Sequence, residues 1–79
     1  MKIDSLKIAA INDSDYKLLF DTVDSFDSTS DQLAKPQTIA TLYRLLRKFG
    51  IPVKSLYDLR LASIILKSNK YLIDCLRAY

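Results

Sequence analysis

The chain has one glycine, Gly50, and Ile51 and Pro52 follow it directly. Among stretches that otherwise favour helix, that triplet marks where a helix must stop and the chain must turn. Upstream, Pro36 suits the first turn of a helix, where its missing N–H removes a donor that would have had no partner. From there Ile39, Leu42, Tyr43, Leu46 and Phe49 recur at helical spacing, with Arg44, Arg47 and Lys48 on the opposite face. Gly50 takes the left-handed position after the helix, Ile51 supplies the hydrophobic contact of such a cap, and Pro52 blocks continuation. Ser55 and Asp58 read as a capping pair opening the next helix, with Asp in place of the usual Glu. Residues 36–66 are expected to fold as helix, tight turn, helix: PQTIATLYRLLRKF, GIP, VKSLYDLRLASIIL.

The flanking segments follow the same periodicity argument. Residues 2–11 fit helix or strand; a short helix is the preferred assignment, aligning Ile3, Leu6 and Ala10. Asn12, Asp13 and Ser14 form a cluster of turn and cap residues. Residues 14–26 predict a helix with Tyr16, Leu19, Phe20, Val23 and Phe26 on one face, and Asp15 near its positive end. The run Asp27–Gln32 is polar and acidic, a surface loop whose Ser, Thr and Asp side chains compete with helix. Ser68-Asn69 reads as a break or kink, after which Lys70–Tyr79 resumes helical order. There Leu72, Cys75, Leu76 and Tyr79 share one side, opposite Lys70, Asp74 and Arg77. The expected fold is all-α: one domain over residues 1–79, a small bundle of four or five short helices around the helix–GIP–helix corner.

Composition bounds the function. Seventy-nine residues are near the lower size at which one core holds unaided, which makes pairing with another chain a standing option. No apolar run approaches the ~20 residues of a spanning helix, and the N-terminal stretch has no sustained apolar region of a signal peptide. A lone Cys75 excludes an internal disulfide framework, so the expected compartment is a reducing cytoplasm. Charge is uneven: residues 1–32 hold three Lys and seven Asp, net −4, whereas residues 33–79 hold nine Lys or Arg and two Asp, net +7. A basic half points to nucleic acid; alternatively the acidic third folds against it and cancels its field.

Catalytic and metal chemistry have little to work with. The chain has no histidine, the commonest general base and metal ligand. One cysteine without histidine builds no ordinary zinc site, and the Asp residues of 21–31 lack the ligand–glycine order of a calcium loop. The only glycine is committed to a helix end, so no phosphate loop exists. Cys75 has no evident base beside it. The expectation is a non-enzyme without cofactor.

Leu42–Leu61 also fits the spacing of the bacterial helix-turn-helix motif, in general form and without pointing to a particular family. Leu45 and Phe49 take the first-helix slots, Gly50 the turn, and Leu56 and Leu59 the second-helix slots. Two departures weigh against DNA. Leu46 fills a slot normally small, and the would-be reading residues are Lys54, Ser55, Tyr57, Asp58 and Leu61, a poor set for base edges. Leu56, Leu59, Ala62, Ser63 and Leu66 continue the core, while Tyr57, Leu61, Ile64 and Ile65 form a second apolar stripe edged by Arg60 and Lys67. That stripe is either covered by another part of the chain or is an interface.

The expected function is therefore a small regulator of the antirepressor, anti-activator or adaptor type. It sequesters or inhibits a protein partner, such as a transcription regulator, and acts as a homodimer. Its contact residues are expected to be Tyr57, Leu61, Ile64, Ile65 and Arg60, with a basic face of Arg44, Arg47, Lys48 and Lys54. The alternative is a minimal helix-turn-helix DNA-binding regulator, and a bundle-forming structural subunit is third.

Overall fold

A computed structural model describes residues 1–30 and 32–78. The loop position of Asp31 and the last-helix position of Tyr79 lie outside the described residues. Within them the fold is all-helical, with no strand. It has four helices in chain order: α1 (Ser5–Ala9), α2 (Asp13–Asp27), α3 (Pro36–Lys48) and α4 (Leu56–Ala78).

Each start has a local chemical cause. The Asp4 carboxylate accepts from the Leu6 N–H at 3.0 Å and caps α1. Asn12 does the same for α2 through Asp15 N–H at 2.8 Å. Pro36 opens α3 without any side-chain cap. At α4 the Ser55 hydroxyl accepts from Asp58 N–H at 3.2 Å, while the Asp58 carboxylate accepts from Lys54 N–H at 2.9 Å.

Gly50 has φ +83°, the one positive φ of the described residues. Ile51 N–H reaches back to Leu46 C=O at 2.8 Å and Gly50 N–H to Arg47 C=O at 3.1 Å, the paired bonds of a Schellman stop. The following link is longer than expected. Val53 and Lys54 are not helical: Val53 N–H bonds Ile51 C=O at 2.9 Å, so this stretch is turned and extended, burying Ile51 and Val53 while Pro52 and Lys54 face out.

The helix α4 packs against each of the other three and supplies Leu59, Ala62, Ser63, Leu66 and Ile73 to the core. Into the same core go Leu19, Phe20, Val23 and Phe26 of α2, and Leu42, Leu45 and Leu46 of α3. Both buried hydroxyls are satisfied within their own helices, Thr22 on Leu18 C=O at 2.6 Å and Ser63 on Leu59 C=O at 2.9 Å.

Three expectations need correction. The first helix buries Ile8, with Ile11 just after it, and turns Leu6 outward. The break at Ser68-Asn69 is absent; α4 runs through it as one helix of 23 residues, so the helices number four and are not all short. Its last third also faces the other way. Ile73 is fully buried and Leu76 half-buried, whereas Leu72 and Cys75 are exposed. Lys70 and Arg77 lie inward instead, over the rings of Tyr16 and Phe20.

A Cβ built on Gly50 meets nothing within 4 Å, so only backbone strain opposes substitution there. Gly50→Val is expected to destabilise the fold by about 1 kcal/mol or more, and Gly50→Asn by less, in chemical denaturation.

Candidate interaction surface

The fold's polar fastenings determine which residues remain available to a partner. Arg60 donates to Phe26 C=O at 2.7 Å and to Thr29 C=O, with its guanidinium 3.9 Å from the Phe26 ring centroid. Arg77 donates to Ala9 C=O at 2.9 Å and Ile11 C=O at 2.6 Å, pairs with Asp13, and lies 3.9 Å over the Tyr16 ring. Both arginines of α4 thus satisfy carbonyls at the C-terminal ends of shorter helices, where acceptors lack intrahelical partners and the dipole favours cations. Arg60, expected at the rim of the apolar stripe, is engaged in holding α2 to α4.

The acidic first third does fold against the basic remainder. Lys48 pairs with Asp15 at 3.1 Å, Lys67 with Asp27 at 3.1 Å and Asp24 at 3.5 Å, and Arg77 with Asp13. Most of these atoms are well exposed, so the pairs do more to cancel the field than to stabilise the fold. On the expected basic face, Lys48 is therefore drawn towards α2. Arg44, Arg47 and Lys54 are exposed and form no ion pair among the described residues, and Arg47 lies 5.6 Å over the Tyr43 ring.

The most distinctive surface is the side of α4 turned away from its buried residues. Tyr57 is 70% exposed, Ile64 54%, Tyr71 84% and Leu72 53%. Leu61 and Ile65 are half-buried between them, and Ser68, Cys75 and Ala78 are exposed on the same side. None of these nine residues is charged. The helix has 23 residues, so the strip runs ~34 Å. The other exposed large apolar side chains, Met1, Leu6, Leu18 and Leu33, belong to other segments.

The expected residues Tyr57, Leu61, Ile64 and Ile65 thus fall on one face, which Ser68, Tyr71, Leu72 and Cys75 extend. The extension was legible as the seven-residue interval Tyr57, Ile64, Tyr71, but the expected break at Ser68 concealed it. Among the described residues no group of three or more metal-ligating side chains exists, and no helix is long and apolar enough to cross a membrane. A shallow groove between α2 and α3 passes Asp21, Ser25, Gln37 and Thr41, with no base or nucleophile paired there. No family model matches the chain, and neither a curated protein nor a solved structure matches it.

Two predictions follow from the fastenings. Arg77→Met is expected to destabilise the fold by about 2 kcal/mol, because two carbonyls lose a charged donor. Arg44→Met should stay within about 0.5 kcal/mol, with equilibrium denaturation separating the two.

Stability should also respond to pH at both extremes. The Lys48 hydrogen bond lowers the Asp15 pKa, and hydrogen bonds from Lys70 and then Tyr16 lower that of Asp74, both from 3.8. These contributions are present above 3.8 and lost as pH falls through the lower folded values. The Asp27 hydrogen bond raises Lys67 from 10.5, and burial, then the bond to Asp74, raises Tyr16 from 10.0. These are fully present below the ordinary values and lost as pH rises through the folded ones. The melting temperature should be flat from about pH 5 to 9 and fall on either side; a rise below pH 4 would contradict this.

Proposed function

We propose that this protein is a small regulator that binds another polypeptide, acting as a homodimer that sequesters or blocks a larger regulatory protein. The observation carrying it is the uncharged outward side of α4. A charge-free strip of this length on a 79-residue chain, with two exposed tyrosines, has the composition of a contact patch. The exposed Arg44, Arg47 and Lys54 suit an acidic partner by steering its approach. In this scheme the Gly50–Ile51–Pro52 corner between α3 and α4 holds the basic and apolar surfaces at a set angle. A DNA-binding role asks α4 to lay its first turns in a groove, yet it offers Tyr57, Leu61 and Ile64 there.

The test is binding at about 150 mM salt. Duplex DNA is expected to bind only weakly, with Kd about 10⁻⁴–10⁻⁶ M. A protein partner retained from host lysate should survive nuclease treatment and be lost on Arg47→Glu with Arg44→Glu. An operator bound at nanomolar affinity, with Lys54 and Tyr57 substitutions changing its sequence preference, would replace this proposal with the helix-turn-helix one.

A further inference from the structure

We infer that the corner between α3 and α4 receives an acidic peptide carrying one apolar anchor side chain. This rests on the reading that the chain binds another polypeptide, and it names the kind of segment bound. Charge is the first ground. Residues 32–57 hold five Lys or Arg and no acid. Of these, Lys48 is drawn to Asp15, whereas Arg44, Arg47 and Lys54 are exposed and pair with no carboxylate among the described residues. Asp58, the first acid after this run, turns its carboxylate to the Lys54 N–H at 2.9 Å. The corner thus keeps a positive field that the rest of the fold cancels, and its complement is a run of carboxylates.

Shape narrows the ligand further. Arg47, Gly50, Ile51 and Pro52 line a shallow hollow of about 210 Å³, below the ~300 Å³ at which pockets begin to hold whole small molecules. It has room for one side chain. Apart from Arg47 its lining is apolar, and Gly50 adds no side chain to fill it. The carbonyls that end α3 already have donors: Leu45 C=O from Phe49 N–H, Leu46 C=O from Ile51 N–H, and Arg47 C=O from Gly50 N–H. This is also the negative end of α3, which disfavours an anion in the hollow and favours an apolar group. Carboxylates belong one turn back. Arg44 lies three residues before Arg47, about 4.5 Å along the axis, on the same exposed side. The Tyr43 ring, 5.6 Å from the Arg47 guanidinium, supports its face and leaves its N–H edge to a carboxylate. The hollow is also formed before any ligand arrives. The Schellman bonds hold Gly50 and Ile51, and Pro52 has a fixed φ, so binding orders little backbone.

The test is fluorescence anisotropy at about 150 mM salt, with a short tagged peptide of Glu on both sides of one central Leu. Saturable binding with a Kd below about 1 mM is expected. Replacing the peptide's Leu with Ser, or Arg47→Gln in the protein, should weaken it by about threefold or more. Lys17→Gln, the same charge change on α2, should alter it by less than about twofold. Pro52→Lys separates shape from charge: it adds a cation but breaks the apolar wall, so peptide binding should fall at retained helicity. Tighter binding by Pro52→Lys, or indifference to the peptide's Leu, overturns the anchor site. A short oligothymidylate that binds tighter than the peptide and is weakened by Arg47→Gln overturns the peptide in favour of nucleic acid. If no saturation is reached by about 1 mM while a nuclease-resistant partner is still retained, the corner site is overturned and the partner-binding reading stands. If the peptide binds as expected and no such partner is retained, sequestration is overturned and the corner site stands.

Discussion

Two arginines on one helix hold the other ends of the chain in place. Arg77 reaches the carbonyls that close α1, and Arg60 those that close α2, 66 to 68 and 31 to 34 residues away in sequence. Neither α1 nor α2 has a basic side chain suited to this inside its own terminal carbonyls' reach: α2 has no basic residue in its last turn, and α1 has only Lys7. The planar guanidinium does two tasks at once, donating along its edge while its face rests on Phe26 or Tyr16. A lysine could reach these acceptors only as a point charge. The long α4 thereby becomes the part on which the other helices are registered, and its apolar residues fill the space between them.

The same arrangement explains why one side of α4 is left uncharged. Its cations Arg60, Lys67, Lys70 and Arg77 are all directed towards the acids, rings and carbonyls of the N-terminal third. The charge that would ordinarily cover the outer surface of a long helix is thus spent inward. What remains outward is Tyr57, Leu61, Ile64, Ser68, Tyr71, Leu72 and Cys75. The surplus apolar face and the closure of the acidic third on the basic remainder are two consequences of one allocation.

Much of this fold was legible in the residues. Gly50, with Ile51 and Pro52 behind it, could only end a helix, and the Schellman bonds are where that chemistry puts them. The faces of α2 and the first half of α4 follow a clean 3.6-residue period. The last third of α4 was read backwards for a physical reason. Periodicity sorts residues by polarity, and Lys70 and Arg77 have long apolar stems and ring-stacking heads that let them lie inward. Ser68-Asn69 looked like a break because both residues are poor helix formers, a weak preference that tertiary packing by Leu66 and Ile73 on either side overrides. Leu6 and Ile8 could not be ranked by spacing in so short a helix; contact with α4 decides it. At the candidate surface, Tyr57 and Ile64 were readable from the stripe, but the structural engagement of Arg60 depends on contacts more than thirty residues distant.

A chain this small has few ways to add stability beyond its single core, and this one has neither a disulfide nor, among the described residues, a metal cluster. Were two copies to pair through α4, as the proposed homodimer would, the helix would be buried on both sides, and the folded state would gain stability by mass action as the copies meet. Dissociation would then expose the helix that organises everything else. A partner able to compete for α4 would be acting on the fold's central element, whereas one steered to Arg44 and Arg47 on α3 would meet a surface that the core does not depend on. The exposed basic residues of α3 and the apolar side of α4 are distinct surfaces, so under the proposed function a partner meeting the first would leave undisturbed the helix on which the core depends.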